Sequence, residues 1–322
     1  MTDRGSRRLR VLLWHVHGSW TDAFVRGRHD YLLPVSDEGA PWGLGKAGRD
    51  WPSATEVPLD RLAEAEPDVV VLQRPEELGF AARLGVPSVY VEHNAPRPYA
   101  ASSEHPLAGR SDITVAHVTP FNAAMWDCGR APTTVVPHGI PDPGPRYTGE
   151  LAAGVSMINE PVRRQRVTGA DLLGTLAEAA PVDVFGMGTE DLGAPLRGLG
   201  DVPAPKLHDE IARRRVYLHT ARWTSLGLSL LEAMHLAMPV VVFAATEAVD
   251  AVPADAGVLS TDVSVLARGF RGLLHEPDFA VLAGKNAREH ALKHYGLDAF
   301  LTAWDHLLAE TARRTVKGTP HR

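Results

Sequence analysis

Short apolar runs alternate along this chain with longer segments of helical period, and the alternation continues almost from end to end. Strands are predicted over 10–14, 31–35, 69–72, 87–91, 113–118 and 133–136, with helices over 59–65 and 76–84 between them. A second series follows, with strands over 154–158, 182–185, 216–219, 239–243 and 257–259. Its helices fall over 170–179, 207–213 and 226–238, and three amphipathic helical segments finish the chain, among them 279–295 and 299–311. Strands alternating with helices mean parallel sheets. The unbroken valine run at 240–242 is that of a strand covered on both faces.

The stretch 224–243 organises the second series. Its helical part is apolar on most of its circumference, which places it in a core. Ser225, Ser229, Glu232 and His235 share the one polar stripe. A carboxylate in that position needs a protein or a ligand donor, because burying it unpaired costs several kcal/mol (roughly 2–7 for a polar group, more for a charge). Thr224 and Ser225 stand at the expected helix start, where either hydroxyl can cap. Gly227 lets a ligand approach the backbone there, and free N–H groups of a first turn attract anions.

The segment 141–149, Pro-Asp-Pro-Gly-Pro-Arg-Tyr-Thr-Gly, reads as a linker. The expected organisation is therefore two Rossmann-like lobes, 1–147 and 148–322, with parallel sheets facing a cleft and the last helix able to pack back on the N-terminal lobe.

Composition narrows the function classes. A net charge of -6 over 322 residues provides no footprint for nucleic acid. The basic run from Arg4 to Arg10 is expected as a solvated tail, with membrane association at most peripheral. One cysteine, Cys128, excludes an internal disulfide, and no apolar run approaches a membrane span, so a cytoplasmic protein is expected. Gly186-Met187-Gly188 follows a strand, but Asp191 stands where a dinucleotide fingerprint needs its third glycine. There is no Gly-x-Ser-x-Gly, no Gly-x4-Gly-Lys-Ser/Thr, no His-Glu-x-x-His and no Asp-x-Asp. His290 and His294 have metal-ligand spacing without a third ligand, and surface helix residues are the simpler account.

Phosphate recognition thus falls to helix starts and arginines. The loop 159–169 carries Arg163, Arg164 and Arg166 into a helix, and guanidinium forks suit phosphate oxygens, although a solvated basic loop would have the same composition. The strand 10–14 ends in His15-Val16-His17-Gly18, and the strand 87–91 in Glu92-His93-Asn94; strand ends in such sheets are where ligands sit.

Taken together, 163–173, 224–241 and the turn Pro137-His138-Gly139-Ile140 resemble the retaining nucleotide-sugar glycosyltransferases of GT-B architecture in the large group called family four. The similarity extends over nearly the whole chain, and the stretch around Glu232 is its most specific part. The resemblance implies a nucleoside diphosphate sugar as donor, no cofactor and no metal. It implies that Glu232 binds the donor's ribose, that amides of Ser225, Leu226, Gly227 and Leu228 face the sugar and diphosphate, and that Arg163 contacts phosphate. His93 is similar to the histidine that reaches the transferred sugar, which makes it the catalytic candidate, while His17 and Gly18 belong to a loop near the diphosphate or acceptor. Thr224 and Thr168 depart from the family's glutamate and lysine, and Arg166 or Arg164 is expected to replace the lost cation. Two other readings share this pattern: a sugar-nucleotide epimerase on the same fold, and a non-catalytic nucleotide-sugar-binding subunit.

Overall fold

The structure is a computed structural model, and residues 7–314 are described. The chain divides into two compact units, Met1–Gly139 with Leu297–Arg322, and Ile140–Gly296.

The first unit contains β1 (Arg10–Leu13), α1 (Gly18–Phe24), β2 (Asp30–Val35), β3 (Ala54–Pro58), β4 (Val69–Leu72), α2 (Leu78–Leu84), β5 (Ser88–Glu92), β6 (Thr114–His117), α3 (Pro120–Met125) and β7 (Thr133–Val135). Its seven strands are all parallel, in the order β3-β2-β1-β4-β5-β6-β7. Strand order therefore reverses between β1 and β4, and ligands of such sheets bind beyond the carboxyl ends at that reversal. β4 is Val-Val-Val-Leu and every residue of it is buried, as a strand covered on both faces must be.

The second unit contains β8 (Leu151–Met157), α4 (Gln165–Thr168), α5 (Ala170–Ala177), β9 (Val182–Phe185), β10 (Leu196–Gly198), α6 (Ala204–Ala212), β11 (Arg214–His219), α7 (Leu228–His235), β12 (Val240–Phe243), α8 (Ala248–Ala251), β13 (Gly257–Ser260), α9 (Val263–His275) and α10 (Pro277–Tyr295). Its six parallel strands run β10-β9-β8-β11-β12-β13, which repeats the doubly wound order and places the reversal between β8 and β11. α7 supplies Leu230, Leu231, Ala233 and Met234 to the core beside Tyr217 and Val240, and α10 packs on it.

α11 (Leu297–Ala312) belongs to the first unit. Its Trp304 lies edge-on to Trp20 of α1, with ring centroids 5.7 Å apart, and to Phe24 at 5.1 Å. Phe300 covers Gly139 so closely that any side chain there would collide with its Cβ.

Three expectations about organisation change. The unit boundary falls at Gly139/Ile140, ahead of the proline-rich stretch rather than within it. The reason lies in hydrogen bonding: Tyr147 N donates to Leu236 O (3.1 Å), Thr148 N donates to Ala212 O (2.9 Å), and Arg288 clasps Asp142 with two bonds of 2.7 Å. Residues expected to act as a free linker are thereby tied down to the second unit. β3 and β10 are strands that the sequence pattern does not predict; both are short edge strands of mixed polarity, which carry little periodic signal. Finally, the basic run is not a free tail over its described part, because Arg7 pairs with Asp68 (2.7 Å), Arg8 with Asp30 (2.5 Å) and Arg10 with Glu66 (3.7 Å). Arg4 lies outside the described residues.

Candidate functional site

In the first unit, the carboxyl ends of β1, β4, β5 and β7 bring His17, Gln73, His93 and His138 together. The rings of His17 and His93 have centroids 4.2 Å apart, and His138 stacks at 6.4 Å from His93 with an interplanar angle of 18°. Trp20 meets His93 edge-on at 5.1 Å. His93 Nε2 bonds to Gln73 Oε1 at 3.0 Å. Burial, reinforced by His17 and His138, holds the His93 pKa well below that of a free histidine; burial, then His17, pushes His138 down to about 3. At neutral pH these two rings are uncharged.

The turn carrying His93 is fixed from below. Glu92 is buried, and its carboxylate accepts from Asn94 N (2.7 Å) and from His105 Nε2 (3.1 Å). Leu107 N donates to His105 Nδ1 at 3.1 Å, so the His105 proton sits on Nε2, facing the carboxylate. Asn122 Nδ2 and Trp126 Nε1 bond the carbonyls of Glu92 (3.3 Å) and Asn94 (2.8 Å).

Gly18, two residues before Trp20, has the Arg49 guanidinium where a side chain would point, 2.8 Å from a Cβ built there. His15 Nδ1 bonds Gly45 O at 3.0 Å, which orients the ring toward the same loop.

In the second unit, α7 begins later than expected. Gly227 is its N-cap, so neither Thr224 nor Ser225 takes the cap position, and Ser225 lies outside the helix. The helix ends at His235, where Ala237 adopts φ +66° and Met238 N bonds Ala233 O at 3.1 Å; the expected 226–238 segment is trimmed at both ends. Ser225 is buried, and its carbonyl accepts from Glu247 N at 3.3 Å, which seats the 224–227 loop on the segment after β12.

Beneath that loop is the imidazole of His219, the last residue of β11, driven to about 4 by burial. Glu232 lies five residues into the helix from Gly227, about 7.5 Å along the axis. Its carboxylate is partly accessible and approaches His208 Nε2 of α6 at 3.7 Å. That is an ion-pair distance rather than a hydrogen bond, so the carboxylate retains acceptor capacity.

The expected arginines are held by carboxylates of their own neighbourhood. Arg163 is exposed and bonds Glu160 at 3.3 Å; Arg166 is exposed and bonds Asp171 at 2.9 Å. Arg222, which sequence reasoning overlooked, is the better anchored cation. It grips Asp171 with both terminal nitrogens, at 2.6 and 2.9 Å, while its backbone N–H donates to Val167 O. Thr168 Oγ1 donates to Arg164 O, so its hydroxyl serves the backbone of α4. Gly169 follows with φ +70° and abuts the Thr220 carbonyl, leaving no room for a side chain at the reversal of strand order.

Gln73, His138, His208 and His219 were also missed as functional candidates. Each follows, ends or faces a sheet strand or the central helix, and position at a strand end was the available signal for Gln73 and His219. Among the described residues no group of three or more His, Cys, Asp or Glu side chains is placed to hold a metal ion. Nor is any helix there long and apolar enough to cross a membrane.

Residues 189–290, which span α6, β11, α7, β12 and most of α10, match the family of glycosyl transferases group 1. The fold is that of GT-B glycosyltransferase structures. HepE of Anabaena, solved with UDP-glucose, superimposes with a TM-score of 0.74 at 15% identity over 94% of this chain and 100% of that one. A sucrose-phosphate synthase from Thermosynechococcus elongatus gives 0.71 at 16% identity, over 94% of this chain and 99% of that one. TarM of S. aureus, in complex with fondaparinux, alpha-GlcNAc-glycerol and UDP, gives 0.64 at 14% identity over 74% of this chain. The match takes in 55% of TarM, so the chain spans about half the length of that protein. Curated protein sequences give no match. Two parallel-sheet Rossmann-like units, the second containing the segment that matches the group 1 family, define the fold class as GT-B.

Proposed function

We propose that the protein transfers a sugar from a nucleoside diphosphate sugar to an acceptor, with retention of configuration and without a metal. The observation that carries this reading is the start of α7 at the glycine N-cap Gly227 with the accessible carboxylate of Glu232 on the same helix, inside the segment that matches the group 1 family. Amides at 225–228 would take oxygens of the donor, and Glu232 its ribose hydroxyls. Leaving-group charge would be met by the helix start and by guanidinium groups, with Arg222 a stronger candidate than Arg166 or Arg163 because Asp171 already fixes its position. His93 is assigned to the sugar and acceptor chemistry, as a neutral imidazole. HepE and TarM, whose structures hold UDP or UDP-glucose, support a nucleotide-sugar donor.

Retention is proposed without a carboxylate nucleophile, by departure of the diphosphate and attack from the same face; a product of inverted linkage would contradict it. A panel of UDP-, GDP-, ADP- and dTDP-sugars scored by thermal shift, with Glu232→Ala beside the parent, tests donor binding. Stabilisation by at least one donor, abolished in the variant, is the expected result. Stabilisation by none, or an undiminished response in Glu232→Ala, contradicts the reading. Binding with neither transfer nor slow donor hydrolysis would instead identify a non-catalytic nucleotide-sugar-binding subunit, which Thr224 in place of the family glutamate would suit.

A further inference from the structure

We infer that Gln73 is a positioning residue that fixes which nitrogen His93 presents, and that the presented atom is Nδ1, a hydrogen-bond acceptor matched to a substrate hydroxyl. The inference rests on the role proposed for His93.

The argument begins at Trp14, the residue after β1. Its carbonyl can only accept, and Gln73 Nε2 lies 2.7 Å from it, which forces the amide nitrogen of Gln73 to that side. The other end of the carboxamide, Oε1, is therefore an acceptor, and it faces His93 Nε2 at 3.0 Å. A neutral imidazole meeting an acceptor through Nε2 must carry its proton there, which leaves the lone pair on Nδ1.

Gln73 cannot turn over to reverse this pattern. It is 4% exposed, its backbone N–H donates to Glu77 Oε2 at 2.6 Å, and Tyr90 Oη approaches its carbonyl at 3.4 Å. Flipping the carboxamide would bring two acceptors together at Trp14. Among the described residues, no hydrogen bond engages His93 Nδ1. Such an atom can accept from a sugar or acceptor hydroxyl; it repels a phosphate oxygen, so His93 is not a phosphate ligand. The relay runs across the strand reversal, from the end of β1 through the end of β4 to the end of β5, so its three residues are set by the sheet.

Long-range 1H–15N spectra of protein labelled at histidine read the tautomer directly, with the His93 signals assigned by their loss in His93→Phe. The expected result is a protonated Nε2 and an unprotonated Nδ1 in the parent. Gln73→Met removes both amide contacts at similar volume and should give a mixed or reversed pattern, with kcat lowered at least tenfold and the donor KM within twofold. In Gln73→Glu a protonated carboxyl can donate to the Trp14 carbonyl and keep its other oxygen opposite Nε2, so this variant should retain the parent tautomer and provides the comparison if Gln73→Met does not fold. A parent proton on Nδ1, or an unaltered tautomer in folded Gln73→Met, overturns the inference. Full transfer by His93→Ala beside the expected tautomers overturns the role of His93 and leaves the Gln73 assignment standing.

Discussion

The imidazole of His219 occupies the space that a side chain on Gly227 would need: a Cβ built on Gly227 falls 2.5 Å from His219 Cε1. Gly227 has φ -71°, so the glycine is required by contact and not by backbone conformation. Gly227→Ala should therefore destabilise the protein by about 1–3 kcal/mol through overpacking. In a His219→Ala background the same change should cost at least about 0.5 kcal/mol less, because the two positions touch. Urea unfolding of the two single variants and the double variant measures this coupling, and additive losses would contradict it.

The buried pair of Asp183 and Arg214 carries a second expectation. Asp183 is fully buried, its carboxylate held below the usual range by Arg197 and Arg214 against the opposing effect of burial. Removing it leaves Arg214, 5% exposed, with Glu210 as its remaining carboxylate partner among the described residues. Asp183→Ala should cost roughly 3–5 kcal/mol. Arg197→Ala should cost less than about 1 kcal/mol, since that side chain is 64% exposed. Denaturant midpoints of the two variants test the order; equal losses would refute it.

Stability should fall with acid in a defined window. His117 and His219 titrate near 4 and His138 near 3, while each would titrate near 6.5 when unfolded. Between about pH 6.5 and 4 the unfolded chain binds more protons at these positions, so stability present above 6.5 is lost as pH falls. The slope approaches 1.4 kcal/mol per pH unit for each ring. Replacing His117 by Phe should flatten the unfolding free energy over that interval, and a curve parallel to the parent would contradict the assignment.

For donor binding, Glu232→Gln and His208→Ala should separate. Loss of the charged acceptor removes a charge-assisted hydrogen bond, worth about 1.5–3 kcal/mol, or roughly 10- to 100-fold in affinity. His208 touches Glu232 only at 3.7 Å, so His208→Ala should change affinity by less than about threefold, within the range of a weak partly exposed pair. Isothermal titration with the donor that stabilises the protein most supplies both numbers.

Both sheets were legible because the apolar runs that form β4 and β12 leave no alternative to burial on both faces. Glu232 was legible as the polar exception in an apolar helix. The start of that helix was not, since Thr224 and Ser225 have the chemistry of caps whereas the helix takes Gly227 as its N-cap and the Ser225 carbonyl accepts from Glu247 N. The arginines show the same limit in reverse. Composition pointed to Arg163 and Arg166, and it gave no signal for Arg222, whose two bonds to Asp171 cross 51 residues. Gln73 and His93 meet only because the β4 and β5 strand ends are neighbours in the sheet, a pairing that local sequence does not encode.

The split composition of the first unit also sets an order of events during synthesis. Trp20, Phe24 and Gly139 emerge from the ribosome early, but Phe300 and Trp304, which cover them, are added only after the whole of Ile140–Gly296 has been made. The later-encoded unit is contiguous and can close first. The earlier one must wait, with an aromatic face uncovered, for the last helix to arrive.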